Sequence, residues 1–189
     1  MKFNALKLVF LISAVFSLFV TGCKKEEITD ESHMMWVGNS PIAGNDKSAY
    51  LVTLENNFKN KNGTYTWIWS VTNTNPGTGA PGTGTAQDLK SWGITLGSCA
   101  DLGQVISGST SPDGLTWKNF NPEMKEVSAS VAKPVIMFEQ GTVNKQKSYY
   151  KLVVTQNFST NKSVTAFYKS GDVTGSGVLT ISGFGCPMP

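Results

Sequence analysis

Thr64–Thr72 reads TYTWIWSVT. The alternation puts Tyr65, Trp67, Trp69 and Val71 on one face and Thr64, Thr66, Ile68 and Ser70 on the other, the period of two of a strand with one buried face. Aromatic and β-branched side chains suit such a pleated, half-buried surface. A sheet with one apolar face must be covered by a second layer, so the flanking sequence is read for the strands of that layer.

Upstream, AYLVTL (Ala49–Leu54) reads as a strand and ENNFKNKNG (Glu55–Gly63) as a polar turn. Downstream, Asn73–Thr85 holds four Gly and two Pro and reads as a loop. A short strand is expected over Gly93–Leu96, leading to Cys99. Val105–Thr110 and Leu115–Phe120 read as a hairpin closed by Pro112, Asp113 and Gly114, with Gly free to take the left-handed conformation of a G1 bulge. Asn121–Lys133 reads as irregular. Pro134–Gln140 is a strand with Pro at its start, where no ladder donor is lost. Ser148–Phe158 is a long strand with Tyr150, Leu152 and Val154 on one face. STNK (Ser159–Lys162) reads as the turn of a hairpin whose second arm is Ser163–Ser170. GDVTGSG then turns the chain into a last strand, VLTISGF, ending near Cys186. Eight or nine strands and no helix predict a single all-β domain, an antiparallel β-sandwich of immunoglobulin-like or jelly-roll-like kind.

The SPDGLTW of Ser111–Trp117 resembles hairpins of discoidin-like domains and, less closely, the Asp-box of sialidase propellers. It lacks one residue of the Asp-box spacing and occurs once, whereas propellers repeat it. It reads as a turn.

The N-terminal region sets the expected address. Lys2 and Lys7 precede an apolar run, Leu8–Val20, of the size of a signal-peptide core and short of the about 20 residues a spanning helix needs. VTGC (Val20–Cys23) resembles the bacterial lipobox, which implies cleavage before Cys23 and acylation of that cysteine. KKEE (Lys24–Glu27) is similar to the export signal that sends lipoproteins to the outer cell face in Bacteroidota. The expected organisation is a signal peptide over 1–22, a lipidated Cys23 with a charged tether over 23–35, and a sandwich over 36–189. The expected location is the outer membrane, lipid-anchored and surface-exposed.

Composition narrows the function. The chain has 16 basic and 13 acidic residues, and every basic one is Lys. Without Lys2 and Lys7 the balance is nearly neutral. No basic face calls for nucleic acid, and bidentate phosphate or guanine recognition is best done by Arg. With Cys23 taken by lipid, Cys99 and Cys186 remain. In an oxidising compartment they are expected to form a disulfide, the alternative being two separate buried thiols. Two cysteines and a lone His33 do not make a zinc cage, and no dense carboxylate cluster points to calcium. No metal and no cofactor are expected.

Catalysis finds little support. The single His, His33, lies in the tether, so a Ser-His-Asp or Cys-His triad has no base in the domain. Paired carboxylates could hydrolyse glycosides, but the acids sit mostly in turns. Glu139, at a strand end, is the one of interest. The chain is read as a non-enzyme. The leading specific expectation is glycan binding, since sugar rings stack on exposed aromatic faces. Of five tryptophans, Trp67 and Trp69 read as core, leaving Trp36, Trp92 and Trp117 as candidate stacking platforms. The partners expected are polysaccharide or surface proteins. The other two readings are a structural or protein-binding module assembling through an edge strand and a glycoside-hydrolase-like enzyme.

WSVTNTNPG, LKSWGITLGSC, SYYKLVVTQNF and TAFYKSG together look like a recurring domain of bacterial secreted proteins, spanning Thr64–Cys186. That resemblance implies one domain and the same cysteine pair, and implies no activity.

Overall fold

The structure is a computed structural model, and it describes residues 49–78, 83–84, 86–127, 133–143 and 146–189. The expected signal peptide and tether, with Cys23, His33 and Trp36, lie outside these residues.

Ten strands follow one another: β1 (Tyr50–Lys59), β2 (Tyr65–Asn73), β3 (Ser91–Thr95), β4 (Val105–Ser111), β5 (Lys118–Phe120), β6 (Met124–Lys125), β7 (Val135–Phe138), β8 (Lys147–Val154), β9 (Phe158–Lys169) and β10 (Ser176–Pro187). A single 3-10 turn, Leu102–Gln104, precedes β4, and no α-helix occurs among the described residues. The strands form two five-stranded sheets, ordered β1-β2-β8-β4-β5 and β10-β9-β3-β7-β6. Every strand pairing is antiparallel. The sheets pack face to face as a β-sandwich, as the alternation in β2 predicts.

The topology has a simple rule. The first sheet is two local hairpins, β1–β2 and β4–β5, with β8 stitched between them. The second is two more, β6–β7 and β9–β10, with β3 between them. Both central strands pair on two sides. Their apolar side chains are well covered: Trp92 and Ile94 of β3 and Tyr150, Leu152 and Val154 of β8 have no accessible surface.

The core is aromatic. Trp67 and Trp69 stack at 5.9 Å, and Phe184 of β10 fills the space beside Trp67 at 4.7 Å. Trp92 stacks on Phe138 at 4.9 Å and meets Tyr150 edge-on at 5.1 Å. Burial of rings this size is the main favourable contribution to folding. Trp69 Nε1 donates to the Ser182 carbonyl at 2.8 Å, so its one polar atom is satisfied between the sheets. Trp92 Nε1 is buried with no partner among the described residues.

The turns obey their residues. Gly63 (φ 85°) and Gly114 (φ 79°) occupy left-handed positions in the β1–β2 and β4–β5 turns. Asp113 Oδ1 accepts from the Leu115 and Thr116 amides and from Ser111 Oγ. The Thr116 amide, then that of Leu115, holds its carboxyl below the usual range. Asp113 is thus spent on the turn.

Three expectations are corrected. The polar stretch after Leu54 is not a turn: β1 continues to Lys59 past a bulge between Leu54 and Asn56, and only 60–64 turn. An edge strand with one solvated face accommodates such polar residues. Asn121–Lys133 is not wholly irregular, since Met124 and Lys125 pair with Ile136 and Val135. The hairpin expected between Ser148–Phe158 and Ser163–Ser170 does not form. β8 belongs to the first sheet and β9 to the second, and the chain crosses between them over 155–157. Ser159–Lys162 lies inside β9, where Thr160 pairs with Phe184 and Asn161 with Gly183. Its polar side chains are largely solvated, which is why they resemble a turn.

Cys99 and Cys186 form a disulfide, with Cα atoms 4.8 Å apart across a sequence separation of 87. Cys99 comes from the segment after β3 and Cys186 from β10. These strands are not neighbours in the sheet, because β9 lies between them.

Candidate functional site

The three tryptophan candidates part company. Trp36 lies outside the described residues. Trp92 is corrected: it has no accessible surface and cannot stack on a sugar. The Ser and Gly beside it look like turn residues, but Ser91–Thr95 is a central strand paired to both β7 and β9, and all five residues are buried. Trp117 alone is partly exposed, just before β5.

The surroundings of Trp117 follow from the register. In the first sheet, Trp67, Trp69, Tyr150 and Leu152 point into the core, so their sequence neighbours point outward. One outward row runs Asn119 (β5), Ser109 (β4), Lys151 (β8) and Ile68 (β2). The next runs Ser111, Tyr149, Ser70 and Thr53. Trp117 lies over the first row: Lys151 Nζ is 4.3 Å from the centroid of its ring. Tyr149 lies against the β4–β5 turn, so close that a Cβ on Gly114 would sit 3.2 Å from the ring. Ser109 Oγ donates to Asn119 Oδ1 at 2.8 Å.

The two lysines of β8 on this face differ. Lys147 Nζ is 2.5 Å from Glu55 Oε1, which also accepts from Ser70 Oγ at 2.5 Å. Lys151 has no carboxylate partner among the described residues. Burial holds its ammonium below the ordinary lysine value.

On the other side of β5 a cleft of about 490 Å³ opens between the sheets, within the range of small-ligand sites. Phe120 and Met137 supply its apolar surface, and Asn121, Glu123, Glu139 and Gln140 its polar groups. Phe120 is anchored edge-on to Phe138 at 5.6 Å. Glu139 is ion-paired with Lys125 at 2.7 Å, and both side chains are well exposed. Gln140 Nε2 is buried with no partner among the described residues.

Lys151, Tyr149 and Asn119 escape a reading that looks for tryptophans. A signal for two of them is present: once Tyr150, Leu152 and Val154 are assigned inward, Tyr149 and Lys151 must face out. Asn119 gains its meaning only from a cross-strand neighbour. Among the described residues no group of three or more His, Cys, Asp or Glu could hold a metal ion. The chain matches no family model, no curated protein and no solved structure.

Proposed function

We propose that this protein is a lipid-anchored outer-membrane surface lipoprotein whose sandwich captures polysaccharide without cleaving it. The observation that carries the reading is the juxtaposition around β5: the partly exposed ring of Trp117 on one side, the cleft with its amides and charges on the other. A chain of sugar rings crossing this three-residue strand meets an aromatic surface first and hydrogen-bonding groups next, on residues that flank the short strands β5, β6 and β7. A non-catalytic role is supported by Glu139, which is solvated and ion-paired. Glycoside hydrolysis calls for a desolvated carboxyl acting as proton donor beside a second one.

The test is binding of the purified full chain to a broad panel of polysaccharides, with Trp117→Ala alongside. Binding that is lost in a folded Trp117→Ala variant supports the reading, and no binding across the panel sinks it. The anchor is tested separately by intact mass: Cys23→Ser abolishes acylation, and a lipid-free wild-type protein in membranes would refute the anchor.

A second reading, assembly through an edge strand, is favoured by one observation. β5 and β6 end the sheets on one side with three and two residues, whereas β1 and β10 end them on the other with 10 and 12. Long edges are templates for pairing. Two register shifts and Pro187 blunt β10, which weighs against it.

A further inference from the structure

We propose that the outer face beside Trp117 reads the acidic units of a polysaccharide, with the Lys151 ammonium pairing with a sugar carboxylate and Asn119 Nδ2 adding a hydrogen bond. The inference rests on the polysaccharide reading above and specifies the chemistry of its ligand.

The argument starts from charge. An ammonium taken partly out of water is costly unless an anion compensates it. Lys125 has Glu139 and Lys147 has Glu55. Lys151 sits in the middle strand of its sheet, with Ile68 on one flank and Ser109 on the other, and has neither carboxylate nor hydrogen-bond acceptor among the described residues. Its company is the Trp117 ring, whose π face attracts the cation without using its hydrogens in conventional hydrogen bonds. Those three N–H donors remain for an incoming oxygen. The depressed basicity that burial gives Lys151 is the direction expected of an ammonium short of counter-charge, and a bound carboxylate relieves it.

The neighbours complete the specificity. Asn119 Oδ1 is occupied by Ser109 Oγ, so the amide presents Nδ2 as a donor with no partner among the described residues. Asn119, Ser109 and Lys151 are consecutive in one cross-strand row, and adjacent strands lie about 4.8 Å apart. The Cα atoms of Asn119 and Lys151 are therefore about 10 Å apart, a span that one or two sugar units bridge. Two acids border this face: Glu55, engaged two strands away by Lys147 and Ser70, and Asp113, whose Oδ1 is held by Ser111 Oγ and the Leu115 and Thr116 amides. A neutral sugar would leave Lys151 uncompensated, whereas a carboxylate-bearing one uses it.

The experiment compares polygalacturonate, alginate and hyaluronate with their carboxyl-reduced counterparts, titrated against the full chain in detergent by affinity electrophoresis and calorimetry. Lys151→Met keeps the aliphatic stem against Trp117 and removes the charge. The expected result is binding of at least one acidic polymer, weakened about tenfold or more by Lys151→Met and by 1 M salt, with little effect of Lys147→Gln. The carboxyl-reduced polymer is expected to bind weakly and without dependence on Lys151. Equal binding of an acidic polymer by wild type and a folded Lys151→Met variant overturns the inference. Binding confined to neutral polymers and lost in Trp117→Ala also overturns it while leaving polysaccharide capture standing. Binding of nothing on either panel overturns both.

Discussion

Opening the Cys99–Cys186 bond gives the sharpest test of how this fold is held. The bond closes a loop with a sequence separation of 87. Chain-entropy reasoning for a loop of that length gives about 4 to 5 kcal/mol at 25 °C, arising from constraint of the unfolded chain. A domain of this size has about 5–15 kcal/mol in all, so the bond supplies about a third of it or more and its loss leaves a weakened protein. At about 2–4 °C per kcal/mol for a unit the size of Trp36–Pro189, the midpoint of thermal unfolding falls by about 8–20 °C. Cys186 is exposed, so a phosphine reductant reaches the bond in the native state. Calorimetry of the oxidised protein, the reduced protein and a Cys99→Ala/Cys186→Ala variant makes the comparison, the last two agreeing with each other. A fall below about 4 °C in both would refute the reasoning, because β10 would then be held almost wholly by β9 and by Phe184 in the core.

Three further outcomes are expected. Trp69→Phe leaves the buried Ser182 carbonyl without its donor and costs at least about 1–3 kcal/mol in urea denaturation; an unchanged midpoint would show the carbonyl finding another partner. Gly108→Ala places a Cβ 2.3 Å from Phe120 Cζ, so the ring must move, at about 1–3 kcal/mol by the same assay and with a changed cleft in a variant structure; a variant as stable as wild type would show the ring yielding freely. Burial raises the Tyr150 phenol from 10.0 to about 12. The raised value favours the neutral form in the fold, so this contribution is complete below pH 10 and is lost as pH rises toward 12, at about 1.4 kcal/mol per unit. Urea midpoints across that range should fall less steeply in Tyr150→Phe, and identical slopes would remove Tyr150 as the cause.

The parts of this fold that are legible in the sequence are the local ones. TYTWIWSVT announces its inward face without help, and SPDG and GDVTGSG carry their own turn chemistry. What is hidden depends on partners far along the chain. STNK has the composition of a turn, and only pairing with β10 makes it strand. Trp92 stands among Ser and Gly, which suit a turn equally well, and its burial follows from β7 and β9 closing on both sides. The candidate site divides the same way. Trp117 is visible as a tryptophan after a tight turn. Its companion Lys151 is one lysine among many until the register sets it in one row with Ser109 and Asn119 and under the indole.

The stitched central strand has a consequence for the order of events in folding. The hairpins β1–β2 and β4–β5 can each form from neighbouring residues, but they join into a sheet only when β8 slides between β2 and β4. β8 begins at Lys147, long after both have been synthesised. Until then β2 carries Trp67 and Trp69 beside an open edge, the kind of surface that pairs with other chains. Such non-local closure is slow, on the order of milliseconds to seconds. A chain in this state stays open to such pairing until Val154 has been made, and the covalent lock waits longer still, because Cys99 meets its partner only after β10 is made.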